Sequence, residues 1–335
     1  MLSASPLVTI KLSGGQLQLQ GNAANCEIEV NQTGATQFLI TGIGATQIKF
    51  GNAQGSSETV NGVKAGINVN LPGAGGEQVF ALTDATVQGN LNVNFGAGFS
   101  IVALGNFSGG VISTNSLTVQ GNLNINTGAG ETEILEVATT VRHDENINMG
   151  AGFRDVQLDE NDRGVVTVNH DFNINSNGPG QTVIDVSGGV ETAGNIRPAI
   201  GPFQVQLPEL VVGNNFNICI NAGTLNAVLR DTIVGTNLNI NCNAGAASIR
   251  LFTVEVGNNA NINTDVGSDF VELSGFEARG LNVNLGANSD ELELFSVTTT
   301  VGTNLDGGSG SDTLFYLSNG NSLAHLHIFN FESIA

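Results

Sequence analysis

A four-residue strand pattern, Leu-Asn-Ile-Asn, recurs about every 22 residues and constrains the fold of this chain more than any other feature. The clearest copies are Leu91–Asn94, Leu123–Asn126, Phe172–Asn175, Leu238–Asn241 and Leu281–Asn284. Weaker copies begin at Ile67, Glu145, Gly194, Phe216 and Ala260. A fixed period in this range predicts stacked units, each of which buries its apolar face against its neighbours.

Each unit contains three short strand patterns separated by turns. Leu123–Asn126 is followed by a Gly-Ala-Gly turn at 128–130, a second pattern from Glu131 to Val137 and a third at Thr139–Val141. Glycine supplies the positive φ angles that a sharp corner needs. No segment shows a sustained 3.6-residue apolar period, so we expect no helices.

Three strands per unit leave no room for a crossover helix, so the strands of one unit should stack in parallel on those of the next. In this respect the sequence resembles parallel β-helix proteins, a group that includes bacterial surface proteins, adhesin stalks, autotransporter passengers and polysaccharide lyases. The predicted fold is therefore all-β, a single-stranded parallel β-helix (solenoid) of about 13 coils of about 22 residues. This count includes weak units at about Cys26 and Thr46 and a last unit at Leu305.

The ends of the chain depart from the repeat. A β-helix has two open ends whose strand edges must be covered. We therefore predict an N-terminal cap over residues 1–25, a parallel β-helix over 26–315 and a C-terminal cap strand over 316–335, with stacking on another subunit as the alternative. Longer spacings predict loops around 106–110 and 160–163, and prolines interrupt the unit at Gly194. Such departures carry function or are tolerated insertions.

Asparagine dominates one predicted face. The third position of the repeated strand is apolar in every unit and should face the core, so the second and fourth positions should face outward. The candidate binding face consists of Asn68, Asn92, Asn94, Asn124, Asn126, Asn146, Asn148, Asn173, Asn175, Asn239, Asn241, Asn261, Asn263, Asn282 and Asn284. Stacked amides could serve only to stabilise the fold. Alternatively, the face binds a glycan, ordered water or a second copy.

Two sets of residues suggest metal chemistry. Residues 307–315 fit the glycine-rich nonapeptide of RTX calcium-binding repeats, which implies calcium at Asp312, with Asp290 and Asp269 in partial neighbouring copies. A plain turn is the alternative. His143 and His170 occupy equivalent places before adjacent units and should stack, which would suit a metal or acid/base site. A turn in which Asp replaces Asn is the alternative there.

The net charge of the chain limits which partners it can bind. The net charge is −20 with only 10 Lys and Arg, so nucleic acid and anionic membranes should be repelled. No apolar window is long enough for a transmembrane helix. No signal peptide pattern is visible, so an extracellular or cell-surface location implies an export signal elsewhere.

The three cysteines are not a disulfide framework, and Cys219 and Cys242 should point to opposite faces.

These features predict a non-enzymatic structural or adhesive β-solenoid at the cell surface or outside the cell, which assembles with itself into oligomers or filaments or binds a neutral glycan. No nucleophile motif, phosphate loop or zinc signature is present. One alternative is a polysaccharide-acting β-helix enzyme, which a groove of aligned acids would favour. The other is a glycan- or ice-binding module, which a bare asparagine plane would favour. Calcium is the one cofactor that the sequence suggests.

Overall fold

The computed structural model describes residues 5–22, 25–73, 75–105, 116–158, 164–186, 210–243, 245–316 and 320–335. These residues form 35 strands and no helix. The loops predicted around 106–110 and 160–163, and the unit predicted at Gly194, lie outside the described residues.

Strand bounds follow the repeat closely in the middle of the chain. The N-terminal strands are β1 (Leu7–Ser13), β2 (Gln16–Gly21), β3 (Glu27–Gly34), β4 (Gln37–Gly42), β5 (Gln47–Phe50), β6 (Ala53–Gly55) and β7 (Ser57–Asn61). The next strands are β8 (Ile67–Leu71), β9 (Glu77–Thr83), β10 (Thr86–Val87), β11 (Leu91–Phe95), β12 (Phe99–Gly105), β13 (Leu117–Val119), β14 (Leu123–Asn126), β15 (Thr132–Val137), β16 (Thr139–Val141), β17 (Glu145–Met149), β18 (Arg154–Leu158), β19 (Val166–Val168), β20 (Phe172–Ser176) and β21 (Gln181–Val186). The last strands are β22 (Leu210–Val212), β23 (Phe216–Ile220), β24 (Thr224–Val234), β25 (Leu238–Cys242), β26 (Ala247–Asn263), β27 (Phe270–Ser274), β28 (Glu277–Asn284), β29 (Ala287–Asn288), β30 (Glu291–Phe295), β31 (Thr298–Asp306), β32 (Ser309–Gly310), β33 (Thr313–Tyr316), β34 (Leu326–Phe329) and β35 (Ser333–Ile334).

The protein is all-β, and 33 of these strands form one large, mostly parallel sheet. Equivalent strands of successive units pair in parallel and in register, so that Leu91 lies beside Leu123 and Leu123 beside Glu145. The second and third strands of each unit do the same, as in β12–β15–β18 and β13–β16–β19. The parallel stacking predicted from the repeat is confirmed, and the register passes directly from Phe172 to Phe216.

The N-terminal pairing differs from the prediction of weak parallel units at Cys26 and Thr46. Strand β1 is antiparallel to β2, and β4 is antiparallel to both β3 and β7. The other edge of β2 pairs in parallel with β8, and the other edge of β3 pairs in parallel with β9. These two pairings join the N-terminal strands to the repeated units. Alternation of apolar and polar residues is the same in parallel and antiparallel strands, which explains the error.

The core is one continuous apolar cluster inside the stacked units. The third position of the repeated strand is buried in every described unit, as predicted, in Val69, Val93, Ile125, Ile147, Ile174, Ile218, Ile240, Ile262 and Val283. The second and fourth positions of the strand are half-buried or exposed, so they face outward.

Glycine corners allow successive units to stack closely. Gly130 and Gly152 have φ angles of 141° and 126°. A Cβ atom on Gly152 would overlap the carbonyl oxygen of Gly130 in the preceding unit. Any side chain here would separate the units, so the Gly-Ala-Gly pattern keeps the strands in pairing distance.

The three cysteines are free, with Cys26 and Cys242 buried and Cys219 half-buried. Among the described residues, no helix is long and apolar enough to cross a membrane.

Candidate functional site

The second positions of the repeated strands form an uninterrupted column of hydrogen-bonded amides, which we call the asparagine ladder. Each Nδ2 donates to the Oδ1 of the asparagine in the preceding unit, through nine bonds of 2.6–3.0 Å from Asn304 back to Asn68. The ladder members are Asn68, Asn92, Asn124, Asn146, Asn173, Asn217, Asn239, Asn261, Asn282 and Asn304. Parallel in-register pairing is what places identical amides one above another.

The fourth positions form a second column that is interrupted. Amide bonds of 2.9–3.1 Å run from Asn175 back through Asn148 and Asn126 to Asn94. Cys219 then lies between Asn175 and Asn241 in the register. The column resumes where Asn263 donates to Asn241 at 2.9 Å, and Asn284 lies next to Asn263.

The two columns together make an uncharged surface with unused hydrogen-bonding capacity. An asparagine amide has two N–H donors and an oxygen with two lone pairs. The ladder uses one N–H and one lone pair of each amide. What remains is a row of alternating donors and acceptors, spaced at the strand separation of about 4.8 Å. Such a row suits polar, neutral and regularly spaced partners, or another strand-built surface.

Asp269, Asp290 and Asp312 are brought together in adjacent units, as predicted, but as turn-stabilising groups. The Oδ1 of each accepts a backbone N–H from the preceding unit: Ala247 N at 2.6 Å, Asp269 N at 2.8 Å and Asp290 N at 2.9 Å. All three side chains are buried, and burial raises their pKa values, that of Asp290 to about 6.

The calcium site at these three aspartates stays a prediction. Calcium takes six to eight oxygen ligands. Among the described residues, no three His, Cys, Asp or Glu side chains are grouped so that they could hold a metal ion. The structure therefore gives these aspartates a role in joining units, through backbone hydrogen bonds.

The two histidines lie next to each other, as predicted, but their rings are tilted by 49° rather than stacked. The rings of His143 and His170 are 5.2 Å apart, and Nδ1 of His170 lies 3.9 Å from Oδ1 of Asp144. Asp144 and Asp171 belong to a turn column that otherwise contains asparagine, where the side chain accepts a backbone N–H of the next unit. The histidines are therefore surface groups on a turn whose acids have the same structural role as asparagine.

Sequence reasoning missed a buried pair of acids. Glu136 and Glu145 are fully buried, and none of their four carboxyl oxygens has a hydrogen-bond partner among the described residues. Each carboxyl group influences the ionisation of the other. Burial raises the pKa of Glu136 to about 7 and, together with repulsion by Glu136, holds the pKa of Glu145 well above its ordinary range. The sequence contains an indication of a buried acid, because Glu145 occupies the first position of the repeated strand, which is apolar in the neighbouring units at Leu123 and Phe172.

A buried cation was missed as well. Arg154 is fully buried in a column with Thr132 and Thr182, and its guanidinium donates to the carbonyl oxygens of Gly150 and Gly178. Burial lowers the pKa of this arginine. The Gly-Ala-Gly corner thus supplies carbonyl oxygens in place of a counter-ion.

A groove formed mainly by residues of β24, β26 and β28 is acidic. It encloses about 280 Å³ and is lined by Asp231, Thr253, Glu255, Gly275 and Glu277, among others. Glu255 and Glu277 are direct register partners on neighbouring strands. The repeat predicts no residue of this groove, because its acids lie outside the repeated Leu-Asn-Ile-Asn strand.

Comparison with protein-family models, with curated proteins and with solved structures finds no match for this chain. Its function must therefore be inferred from its own residues.

Proposed function

We propose that this chain is a parallel β-helix that acts as a non-enzymatic structural or adhesive protein outside the cell or at its surface, and that it associates with itself through the asparagine face. The in-register parallel pairing and the three-strand unit support the β-helix. The extracellular role is supported by the resemblance of the repeat to β-helices of bacterial surfaces.

One observation carries the proposed self-association: the asparagine ladder is continuous and uncharged on a chain of net charge −20. Two copies repel each other over most of such a surface. At the asparagine face they can approach without bringing carboxylates together. The unused amide donors and acceptors of one copy then match those of the other, since the spacing of both is set by the same strand separation.

The test is substitution of one amide in the middle of the face. Asn124→Lys places a charge on the ladder, and Thr140→Lys places the same charge on a half-buried outward position of another strand in the same unit. We expect Asn124→Lys, but not Thr140→Lys, to abolish lateral association in sedimentation velocity and electron microscopy, with both variants folded by circular dichroism. If the wild-type protein stays monomeric at about 0.1 mM, self-association is wrong, and neutral glycans and ice become the ligands to test.

The acidic groove favours one second candidate, a polysaccharide-acting enzyme. Paired carboxylates flanking a groove are the groups that glycoside hydrolysis requires. Release of reducing ends from a panel of neutral and acidic polysaccharides would support this candidate if Glu255→Gln and Glu277→Gln abolished it. Activity that survives in both variants would rule the groove out as its source.

A further inference from the structure

The C-terminal end of the stacked units has an open strand edge. In the described part of the chain, β34 pairs only with β31, and β35 pairs only with β33. The carbonyl oxygen of Phe329 accepts the N–H of Gly307, so the backbone N–H and C=O groups of Phe329 face β31. Because backbone groups alternate along a strand, the N–H and C=O groups of Leu326 and Ile328 face away from the protein.

The hydrophobic core is also uncovered at this end. Leu305 and Leu314 are fully buried. The residues stacked on them in the last unit are Ile328, which is half-buried, and Ile334, which is 58% exposed. Phe329 adds a further side chain that is 50% exposed. Exposed apolar side chains beside unpaired backbone groups mark an interaction surface.

The core is covered at the N-terminal end, in contrast. Its antiparallel strands add Phe38 and Val60 to the core, and both are buried. The strands that begin the parallel stacking, β2 and β3, are each paired on both edges. Among the described strands, the unpaired edges at this end belong instead to β7 and β6, which pair only with β4 and β5.

The open end carries little negative charge. Residues 313–335 contain one acidic side chain, Glu332, and two histidines, whereas the whole chain has a net charge of −20. Oε2 of Glu332 already accepts the backbone N–H of Asp312 at 2.7 Å. Two copies can therefore bring these ends together at a small electrostatic cost.

We propose that two copies of this protein join through their C-terminal ends, with β34 of one copy pairing antiparallel to β34 of the other across a two-fold axis. A strand edge carries both donors and acceptors, so it is complementary to itself under a two-fold rotation. The contact covers both open cores at once. Because the two-fold contact uses the open β34 edge of both copies, assembly at this surface stops at a dimer. The inference rests on the proposed β-helix but uses a surface separate from the asparagine face.

The test compares two equally exposed apolar residues. Ile334→Lys puts a charge into the proposed contact, and Val301→Lys puts one at a residue that is 52% exposed but lies outside the last unit. In sedimentation over a concentration series, wild type and Val301→Lys should form a species of twice the 34.5 kDa chain mass. Ile334→Lys should dimerise at least tenfold more weakly, and Phe329→Lys should do the same if Ile334→Lys does not fold.

The shape of the dimer separates this contact from a lateral one. An end-to-end dimer should have about twice the maximum dimension of the monomer in small-angle scattering, and Asn124→Lys should leave it intact. That result would support the end contact even if the asparagine face bound nothing. The inference is overturned if the wild type is monomeric, if assemblies grow beyond the dimer through an Ile334-sensitive contact, or if Asn124→Lys dissociates the dimer while Ile334→Lys does not.

Discussion

Single residues that break the repeat have the largest electrostatic effects in this protein. Glu136 follows Leu104 in one interior column, and Glu145 lies between Leu123 and Phe172 in another. The described neighbours in these columns are apolar, and no basic group influences either carboxyl. The pair can remain in the core only while it holds at least one proton, because two buried carboxylates would repel each other without any counter-charge.

The pair should make stability depend on pH. At pH 4 the folded and unfolded chains both bind the protons. As the pH rises, the unfolded carboxyls ionise near their ordinary pKa of 4.5 while the folded pair stays protonated, so the free energy of unfolding falls. For Glu136 this loss is complete above about pH 7, and for Glu145 it extends further.

Replacing both acids with leucine should remove this dependence. We expect Glu136→Leu/Glu145→Leu to raise the free energy of unfolding by about 1–3 kcal/mol at pH 8 and to change it little at pH 4. Denaturant unfolding at both pH values measures this, with Glu131→Gln, an exposed acid of the same unit, as the control. A double variant that gains as much at pH 4 as at pH 8 would show that packing, rather than ionisation, is responsible.

At the scale of the strand, the asparagine columns act as continuous elements that join unit to unit. The first column is complete over the described units, and the second is broken at Cys219. The thiol of Cys219 contacts Oδ1 of Asn221 at 3.4 Å. A thiol is a weak donor and acceptor, so it cannot bridge Asn175 and Asn241 as an amide would.

Cys219→Asn should therefore complete the second column. Two new amide hydrogen bonds between half-buried groups should raise the free energy of unfolding by about 1 kcal/mol. Cys219→Ser is the matched control, because its hydroxyl is too short to reach both neighbouring amides. Thermal and urea unfolding of the three proteins measures the difference, and an asparagine variant no more stable than the serine variant would contradict the role given to the column.

The central strands could be predicted from the sequence because a repeated pattern specifies its own register. The buried third position and the outward asparagines follow directly from alternation. The N-terminal strands could not be predicted in this way, since Leu17 and Ile67 pair in parallel although no 22-residue spacing relates them. Whether Glu136 and Glu145 come together depends on the distance across the core. The role of Asp312 depends on which backbone N–H group faces it. Neither can be predicted from the spacing of residues along the chain.

At the scale of the whole molecule, the two ends should differ in stability. Units in the middle are held by neighbours on both sides, whereas the last unit has a neighbour on one side only. Hydrogen exchange should show the amides of β34 exchanging at least 100-fold faster than those of β20 in the monomeric Ile334→Lys variant. The N-terminal hairpin of β1 and β2 should exchange slowly, because its strands are covered. Equal protection at both ends would contradict the described asymmetry.

The N-terminal hairpins also have a consequence for the order of folding during synthesis. The hairpins of β1–β2 and β3–β4 are built from contacts close in sequence, so they can form soon after they leave the ribosome. Each later unit then finds a completed template that was translated earlier, in most cases about 22 residues before it. Folding should accordingly proceed in the order of translation, one unit at a time. The β34 edge is made after the units it covers, so nascent chains on one messenger RNA can join through this edge only after those units have been synthesised.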